Sequence, residues 1–317
     1  VLLDKLADLI SKTKSTPMLA RTHGQAAVPT TFGKEMAVFL SRLLKQRNTL
    51  IKHPFEAKMS GAVGSYNAPL AAFPNVDWIE FNISFLKKLG LQANTATTQI
   101  LPFDNWLVYF QNLQLINAIL IDFSQDMWRY ISDNYLKLRV VEGEVGSSTM
   151  PQKVNPIDFE NAEGNFGIAN ALFEQYIRKL SVSRLQRDLS DSTVRRTFGT
   201  ALGHTLIGYT SLSRGLGRIQ ENEALMKDDL NAHWEVVSEG AQTILRAANI
   251  PESYEKLKEL TRGKKITQES YAEWVNGLDV SEILQSQLRQ LSPLTYLGLS
   301  EKIAEKVLAE FSEKANL

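Results

Sequence analysis

Residues 105–139 read NWLVYFQNLQLINAILIDFSQDMWRYISDNYLKLR, and this run decides the fold class. Its apolar side chains recur at intervals of three and four residues, which is the spacing of one face of an α-helix. They include Trp106, Phe110, Leu113, Ile116, Leu120, Phe123, Met127 and Tyr130. These positions spread around much of the helix circumference, as expected of a helix surrounded by other helices. The sequence therefore predicts a long helix inside a bundle.

The same helical spacing covers most of the remaining chain. It predicts helices over residues 1–13, about 34–59 with a kink at Pro54, 157–181, 192–216 and 222–248. Asn75 or Asp77 can cap a further helix that stops at Gly90. Strand signals are few, with only a weak alternation in residues 136–145. We therefore expect an all-α fold, a long-helix bundle with a small C-terminal helical domain.

The character of the helices changes near residues 217–222. Before this point they are long and apolar, and after it they are shorter and more charged. We therefore expect a central bundle domain over residues 1–216, which carries the catalytic segments, and a C-terminal helical domain over residues 217–317. Long apolar helices need partners on several sides, which favours oligomerisation. The chain opens inside a helical pattern without an initiating Met, and we interpret it as part of a longer protein.

Composition excludes several classes of protein. Apolar residues make up 44% of the chain, so it is not disordered. Lys plus Arg equals Asp plus Glu at 35 each and no basic block occurs, which argues against a nucleic-acid binder. No apolar run approaches the ~18 residues of a membrane span. The chain has no cysteine and no signal-peptide pattern, so we expect a cytoplasmic protein without disulfides or thiolate metal sites.

A loop with catalytic character lies at residues 146–156, which read GSSTMPQKVNP. Pro151 and Pro156 exclude a continuous helix across it. Two hydroxyls, Ser147 and Ser148, precede Lys153 by six and five residues. This composition is typical of a lid that closes over an anionic ligand and brings a hydroxyl to a reacting atom. The alternative is an ordinary surface loop, which the complete string makes the weaker interpretation.

Histidine is scarce, with four in the chain, and His23 is the strongest candidate for catalysis. It lies in the string Arg21-Thr22-His23-Gly24-Gln25, in a segment between Pro17 and Pro29 that we expect to be irregular. Neighbouring hydroxyl and amide groups could fix its tautomer. The other three histidines fall within helical patterns, where packing or surface polarity is the favoured interpretation. The histidine spacing does not match a metal site, so we expect none.

A polar cluster at residues 184–196 reads RLQRDLSDSTVRR. Ser190 or Ser192 can cap the helix that follows, and its start would present free N–H groups beside Ser192, Thr193, Arg195 and Arg196. Together with Arg187 this predicts a cradle for phosphate or carboxylate. An ordinary capped helix with solvated arginines is equally compatible with the pattern. The chain has no phosphate loop, dinucleotide fingerprint or nucleophile elbow.

Together these segments resemble the fumarase/aspartase superfamily, whose signature loop reads Gly-Ser-Ser-x-Met-Pro-x-Lys-x-Asn-Pro. Within it, the chain is similar to the bacterial adenylosuccinate lyase family. The resemblance runs through residues 21–25, 61–64, 97–99, 146–161, 186–196 and 254–263. Gln152 departs from the family, which often has histidine there.

The resemblance implies a carbon–nitrogen lyase that removes fumarate by β-elimination. Its substrates would be adenylosuccinate, which gives AMP, and the succinylated carboxamide ribotide of purine biosynthesis. Ser147 would be the base and His23 the acid that protonates the leaving nitrogen. Substrate-binding positions would be Gln99, Ser148, Lys153, Val154, Asn155, Asn161, Arg187, Ser192, Thr193, Val194, Arg195 and Arg196. No cofactor is implied.

The resemblance also implies a homotetramer whose active sites draw on three subunits, with His23 and Ser147 from different chains. The family has a further N-terminal domain, so this chain alone is expected to be inactive. Two alternatives remain open: another lyase of the superfamily, such as argininosuccinate lyase or fumarase, and a non-catalytic helical scaffold. The presence of His23, Ser147 and Lys153 together argues against the scaffold.

Overall fold

The computed structural model describes residues 1–139, 150, 153–251 and 266–315. Helices dominate these residues, which confirms the predicted all-α fold. The first eight are α1 (Leu2–Thr13), α2 (Phe32–Ile51), α3 (Asn67–Ala72), α4 (Trp78–Lys88), α5 (Asp104–Ser132), α6 (Ile157–Leu180), α7 (Ser190–Arg195) and α8 (Phe198–Arg218). They are followed by α9 (Glu223–Asn231), a 3₁₀ turn (Trp234–Val237), α10 (Ser238–Ala247), α11 (Gln268–Asn276), α12 (Glu282–Arg289) and α13 (Ser300–Ala315).

Short strands form two-stranded ladders between some of these helices. The strands β1 (Pro17–Thr22) and β2 (Gln25–Thr31) make an antiparallel hairpin in which Pro17 lies opposite Thr31. A two-residue parallel pair joins β3 (Glu56–Ala57) to β4 (Gln92–Ala93). The third pair is antiparallel, between β5 (Leu136–Leu138) and β6 (Ile219–Glu221). The weak alternation predicted from residue 136 is thus a three-residue strand, and residues 140–145 lie outside the described part.

Several predicted helices agree closely with the structure because their signals are local. The helix predicted at 157–181 is α6, and the long helix predicted over 105–139 is α5, which begins at Asp104 but ends at Ser132, ahead of the β5 strand. Asp77 caps α4, since its Oδ1 accepts hydrogen bonds from the main-chain N–H groups of Ile79 and Glu80 at 3.1 and 3.0 Å. The chain then leaves the helix through Gly90 at a φ of 75°.

Other predicted helices were wrong in extent. The helix predicted to continue through a kink at Pro54 ends at Ile51, because proline cannot continue it and disfavours a helical residue before it. The helix predicted at 192–216 is divided between α7 and α8. The one predicted at 222–248 is interrupted after Asn231. There His233 Nδ1 lies 2.7 Å from the carbonyl oxygen of Asp229, an acceptor that a continuing helix would use.

The chain divides into two compact units, each made of separate stretches of sequence. The first unit comprises residues 1–41, 129–155 and 216–317, and the second comprises residues 42–128 and 156–215. A buried cluster in the first unit includes Leu230, Trp234, Val237, Leu245, Tyr271, Val275 and Leu288. The second has a cluster of Leu107, Phe110, Leu113, Ala169, Phe173, Tyr176, Leu180 and Ala201. The predicted domain boundary at residues 216/217 stays a prediction.

In the second unit, aromatic rings form the centre of the buried cluster. The Phe110 ring centroid lies 5.5 Å from that of Phe173, 5.4 Å from that of Tyr176 and 4.9 Å from that of Phe198. The Tyr176 hydroxyl donates to the carbonyl oxygen of Thr197 at 2.7 Å, which satisfies its buried polar atom. This contact holds the junction between α7 and α8, where the predicted phosphate-binding residues lie. No helix among the described residues is long and apolar enough to cross a membrane.

Candidate active site

A cleft of about 870 Å³ in the second unit brings together five of the predicted binding residues. Three segments line it: a turn at residues 58–61, a stretch at 99–106 and the region around α7. The predicted residues in the lining are Gln99, Arg187, Ser192, Arg195 and Arg196. Lys58 adds a fourth cation, and the lining contains no carboxylate. We call this feature the cationic cleft. Its charge favours an anionic ligand.

Lys58 connects two of the lining segments. Its Nζ donates hydrogen bonds to the carbonyl oxygens of Gly61, Thr98 and Gln99 at 3.0, 2.7 and 2.9 Å. Burial lowers the pKa of Lys58 because it disfavours the charged form. The same two segments also meet through the hydroxyls of Ser60 and Thr97, which are 2.8 Å apart. The ammonium group thus fixes the main chain at Gln99.

Sequence reasoning missed Lys58, although a signal lay close by. Gly64 has a φ of 83°, and a Cβ added there would lie 2.0 Å from the Thr97 carbonyl oxygen. Position 64 therefore requires glycine, because the turn that follows Lys58 passes close to the main chain of Thr97 there. A pair of glycines such as 61 and 64 is a signal for a tight turn, but which carbonyl oxygens Lys58 reaches depends on contacts about 40 residues away.

Asp188 organises the segment that carries the arginines. Its carboxylate accepts hydrogen bonds from the main-chain N–H of Ser190 at 2.7 Å and of Arg184 at 3.0 Å, and also from the Ser190 hydroxyl. The hydrogen bonds from Ser190, followed by that from Arg184, outweigh desolvation and lower the pKa of Asp188 to about 2.

The prediction that Ser190 or Ser192 caps this helix was wrong. The N-cap position of α7 is Leu189, which offers no side-chain acceptor. The helix is only six residues long, so its dipole contributes little. Arginine side chains, more than helix N–H groups, therefore supply the positive charge of this region.

Two of the arginines are held by specific contacts. Arg195 Nη1 lies 3.3 Å from Asp191 Oδ2, and its guanidinium lies 5.5 Å from the centroid of the Phe103 ring. Arg187 Nη1 donates to Gln99 Oε1 at 3.5 Å, so these two predicted residues contact each other. Guanidinium groups in such an arrangement can bind phosphate or carboxylate oxygens in pairs.

Not all predicted binding residues line the cleft. Val194 packs against the buried aromatic cluster of the second unit, and Thr193 is exposed outside the lining. Asn161 lies on α6, where its Nδ2 donates to Ser211 Oγ at 2.7 Å and its Oδ1 accepts from Asn165 at 2.9 Å. Binding roles for these three residues stay predictions.

His23 belongs to the first unit and lies at the tip of the β1–β2 hairpin. The prediction of an irregular segment was wrong, because Pro17 and Pro29 both lie within paired strands. His23 and Gly24 have φ values of 55° and 74°, and Thr22 pairs with Gln25. Positive φ at both central residues of a two-residue loop is typical of a type I′ turn. The imidazole is exposed, which suits a group that contacts a ligand.

The candidate catalytic loop is described only in part. Ser147, Ser148 and Gln152 lie outside the described residues, as does the 254–263 segment of the resemblance. Lys153 is exposed and its main-chain N–H donates to the Met150 carbonyl oxygen at 3.0 Å. Val154 and Asn155 are half-buried.

The remaining histidines have structural contacts. His53 Nε2 lies 3.2 Å from Asn105 Oδ1, and His204 Nδ1 lies 2.7 Å from Asn165 Oδ1. Among the described residues, no group of three or more histidine, aspartate and glutamate side chains is arranged to hold a metal ion.

Comparison with known proteins places the chain among lyases. A family profile described as "Lyase" matches residues 1–169, and one described as "Adenylosuccinate lyase C-terminal" matches residues 183–297. The chain is 46% identical to the adenylosuccinate lyase of Haemophilus influenzae over 306 residues, covering 96% of this chain and 67% of that protein. It is 48% identical to that of Legionella pneumophila, covering 91% and 63%, and 46% identical to that of Escherichia coli, covering 94% and 65%.

Solved structures share the fold at lower sequence identity. A 3-carboxy-cis,cis-muconate lactonizing enzyme from Pseudomonas putida has a TM-score of 0.78 at 19% identity, covering 98% of this chain and 70% of that one. A fumarate lyase from a Mesorhizobium species has a TM-score of 0.74 at 19% identity, covering 97% and 70%. These likenesses concern the fold alone.

The chain spans about two thirds of the length of its relatives, between 63% and 67% in the three proteins above. Sequence identity of 46–48% over more than nine tenths of the chain, together with the two profiles, is decisive for its family. The chain belongs to the adenylosuccinate lyase family.

Proposed function

We propose that the protein containing this chain is an adenylosuccinate lyase. It removes fumarate by β-elimination from adenylosuccinate, which leaves AMP, and from the succinylated carboxamide ribotide of purine biosynthesis. The observation that carries this proposal is the cationic cleft. It occurs in a chain whose relatives are named adenylosuccinate lyases. Four cations without a carboxylate in the lining suit a nucleotide that carries a phosphate and a succinyl dianion.

The cationic cleft supports a role in binding the nucleotide. Arg187, Arg195 and Arg196 are the groups that would hold phosphate oxygens, because guanidinium groups form paired, charge-assisted hydrogen bonds with them. Ser192 and Gln99 add neutral hydrogen-bonding groups in the same lining. The contact of Arg187 with Gln99 orients both side chains before the ligand arrives.

The proposed reaction moves two protons and breaks two bonds of the substrate, a carbon–hydrogen bond and a carbon–nitrogen bond. One carbon of the succinyl group carries the leaving nitrogen, and Ser147 takes a proton from the neighbouring carbon. The electron pair of that carbon–hydrogen bond becomes the carbon–carbon double bond of fumarate. The carbon–nitrogen bond breaks, and His23 gives a proton to the departing amine. A serine hydroxyl is a weak base in water, so Ser147 needs cationic groups such as Lys153 to stabilise its alkoxide.

Apolar side chains on the long helices support assembly into a homotetramer, the state we propose for this protein in the cytoplasm. In the second unit, side chains about half exposed include Val108 and Leu115 on α5, Ile168 on α6, and Leu202, Leu206 and Ile207 on α8. Apolar side chains at helical spacing on several long helices indicate surfaces that other subunits cover. In such an assembly, His23 and Ser147 of one active site come from different chains.

The test is substrate turnover by the full-length protein. Adenylosuccinate should yield fumarate and AMP in equal amounts, whereas argininosuccinate and malate should yield no fumarate. A Ser147→Ala protein is the matched control: it should still bind adenylosuccinate in a calorimeter but release no fumarate. Turnover of argininosuccinate or malate without turnover of adenylosuccinate would reject the proposal in favour of another lyase. Failure of a folded protein to turn over any of them would support a scaffold.

A further inference from the structure

Three side chains of the first unit form a closed hydrogen-bonded triangle beside the His23 hairpin. Arg21, on β1, donates through Nη1 to the Tyr135 hydroxyl at 3.1 Å and through Nη2 to Asp229 Oδ2 at 2.8 Å. The Tyr135 hydroxyl in turn donates to the same carboxylate oxygen. The Arg21 guanidinium also lies 5.6 Å from the centroid of the Tyr135 ring. Each member therefore contacts both others, and a shift of one disturbs the whole triangle.

The triangle is partly sheltered from solvent, and the charge states of Tyr135 and Asp229 are fixed. Tyr135 is 3% exposed, and the side chains of Arg21 and Asp229 are 34% and 21% exposed. Burial, followed by the hydrogen bond to Asp229, raises the pKa of Tyr135 to about 12, so its hydroxyl remains a donor. Burial alone would raise the pKa of Asp229, but the hydrogen bonds from Tyr135 and Arg21 outweigh it and lower that pKa. Asp229 is therefore an anion that binds Arg21 at neutral pH.

The far side of the triangle is fixed by α9 and its end. Asp229 lies on α9, and His233 Nδ1 is 3.5 Å from the second carboxylate oxygen, Oδ1. The same ring nitrogen lies 2.7 Å from the main-chain carbonyl oxygen of Asp229. The His233 ring nitrogen thus ties the main chain of Asp229 to the end of α9 and lies close to the carboxylate that binds Arg21.

Arg21 stands where the hairpin needs an anchor. Leu19 pairs with Pro29, but Arg21 pairs with Ala26, so β2 has an extra residue between these two pairs. Such a bulge bends a hairpin and disrupts its ladder locally. The tip carries His23 two residues after Arg21. Because the ladder is locally disrupted below the tip, the side-chain contacts of Arg21 add support to the position of the tip.

We infer that Asp229 and Tyr135 are positioning residues, which act through Arg21 to hold the His23 turn in the geometry that proton transfer requires. This inference rests on the proposed function, in which His23 is the acid. Neither residue needs to contact the substrate. Proton transfer is sensitive to displacement, because an acid must reach hydrogen-bonding distance of the atom it protonates. Substrate binding, which depends on other residues, is much less sensitive to the same displacement.

The test compares Asp229→Asn in the full-length protein with and without His23. The substitution keeps the shape of the side chain and removes the charge that holds Arg21. We expect kcat for adenylosuccinate to fall about tenfold while KM changes less than about twofold, because a misplaced catalytic group costs turnover more than binding. When His23 is already alanine, Asp229→Asn should lower the remaining rate by less than about twofold, since coupled residues are non-additive. Glu223→Gln, an equivalent change on α9 at an exposed pair with Lys227, is the control and should leave kcat unchanged.

Each outcome has a separate meaning. If Asp229→Asn lowers the rate about equally with and without His23, its effect is general and the inference is wrong. If Asp229→Asn leaves kcat unchanged in a protein where His23→Ala lowers it, the inference is also wrong while the proposed function stands. A near-normal rate for His23→Ala would instead contradict the proposed role of His23.

Should the Asp229→Asn protein fail to fold, Tyr135→Phe in the same two backgrounds decides the question. It removes one hydrogen-bonding group and keeps the ring, and we expect about threefold lower kcat only when His23 is present.

Discussion

The His23 hairpin and the cationic cleft hold their functional side chains by different means. At the hairpin, side chains contact side chains: Arg21 binds Tyr135 and Asp229, and the loop itself is a two-residue turn. At the cleft, where Arg187 and Arg195 contact the side chains of Gln99 and Asp191, two further charged side chains bind the main chain. The Lys58 ammonium contacts three carbonyl oxygens, and the Asp188 carboxylate accepts from two main-chain N–H groups.

The difference follows from what each region is proposed to do. An acid must reach one atom at hydrogen-bonding distance, so its support has to fix a direction as well as a place. A phosphate-binding region needs several long, positively charged side chains, and it tolerates a small displacement of each one. Fixing the main chain of the loops is enough for that purpose. Variants at the hairpin should therefore change kcat, whereas variants at the cleft should mainly change KM.

The sharpest test of this comparison is removal of the imidazole. We expect His23→Ala in the full-length protein to lower kcat for adenylosuccinate by about 10²- to 10⁴-fold, the usual contribution of a general acid. KM should change far less, since His23 does not belong to the cleft lining. The control is His53→Ala, which removes an imidazole bound to Asn105 and should leave kcat within about threefold of wild type. A near-normal kcat for His23→Ala would mean that His23 has only a structural role.

The two regions also differ in how much the sequence could predict. The arginines at 187, 195 and 196 could be recognised as a group because they lie close together in the chain. The sequence could not predict that these arginines line one cleft with Gln99. That arrangement depends on the pairing of β3 with β4 and on a contact between residues about 90 positions apart. Helices α5 and α6 could be predicted to within a few residues, except at the C-terminal end of α5, since a helical period is a local property.

The hairpin was harder to predict for a physical reason. Strand pairing is not local, and the two prolines were taken to exclude regular structure although an edge strand tolerates them. The roles of Lys58 and Asp188 could not be predicted because both side chains bind main-chain atoms. Every residue has a main-chain carbonyl, so the sequence does not show which ones a side chain will bind. Ser190 and Ser192 are better capping residues by type than Leu189, but the Ser190 hydroxyl donates to the Asp188 carboxylate, and no side chain caps the helix.

At the cleft, the largest expected effect comes from Arg196→Ala. Loss of a charge-assisted hydrogen bond to phosphate should raise KM for adenylosuccinate by about 10- to 100-fold with a smaller change in kcat. The KM of the wild type should also rise with salt concentration more steeply than that of the variant, because salt screens exposed charges. Arg178→Ala is the control: Arg178 forms an exposed pair with Glu174 at the end of α6 and does not line the cleft. An Arg196→Ala protein that loses kcat at unchanged KM would contradict the comparison.

Lys58→Met should have the next largest effect. It removes three hydrogen bonds and leaves the carbonyl oxygens of Gly61, Thr98 and Gln99 without that donor, so the segment carrying Gln99 loosens. We expect KM to rise about tenfold, which corresponds to one hydrogen bond to a charged group. Lys58→Arg should not restore it, because a planar guanidinium cannot direct three donors as an ammonium does. The control is Lys52→Met, because Lys52 is exposed and lies shortly before Lys58 in the chain. An unchanged KM for Lys58→Met would show that the loop is held without it.

The smallest effect should come from Asp188→Asn, and it should depend on pH. The pKa of Asp188 in the folded protein is about 2, below the value of about 3.9 for an unfolded chain, so its ionised form stabilises the fold. That contribution is present above pH 4 and disappears as the pH falls towards 2. The melting temperature of wild type should exceed that of Asp188→Asn by a constant few degrees from pH 7 to about pH 4, and the difference should shrink below pH 4. Asp228→Asn, at an exposed carboxylate on α9, controls for the introduced amide. A difference that vanishes already at pH 5 would mean that the hydrogen bonds from Ser190 and Arg184 do not hold an ionised carboxylate, and main-chain support of the cleft would then rest on Lys58 alone.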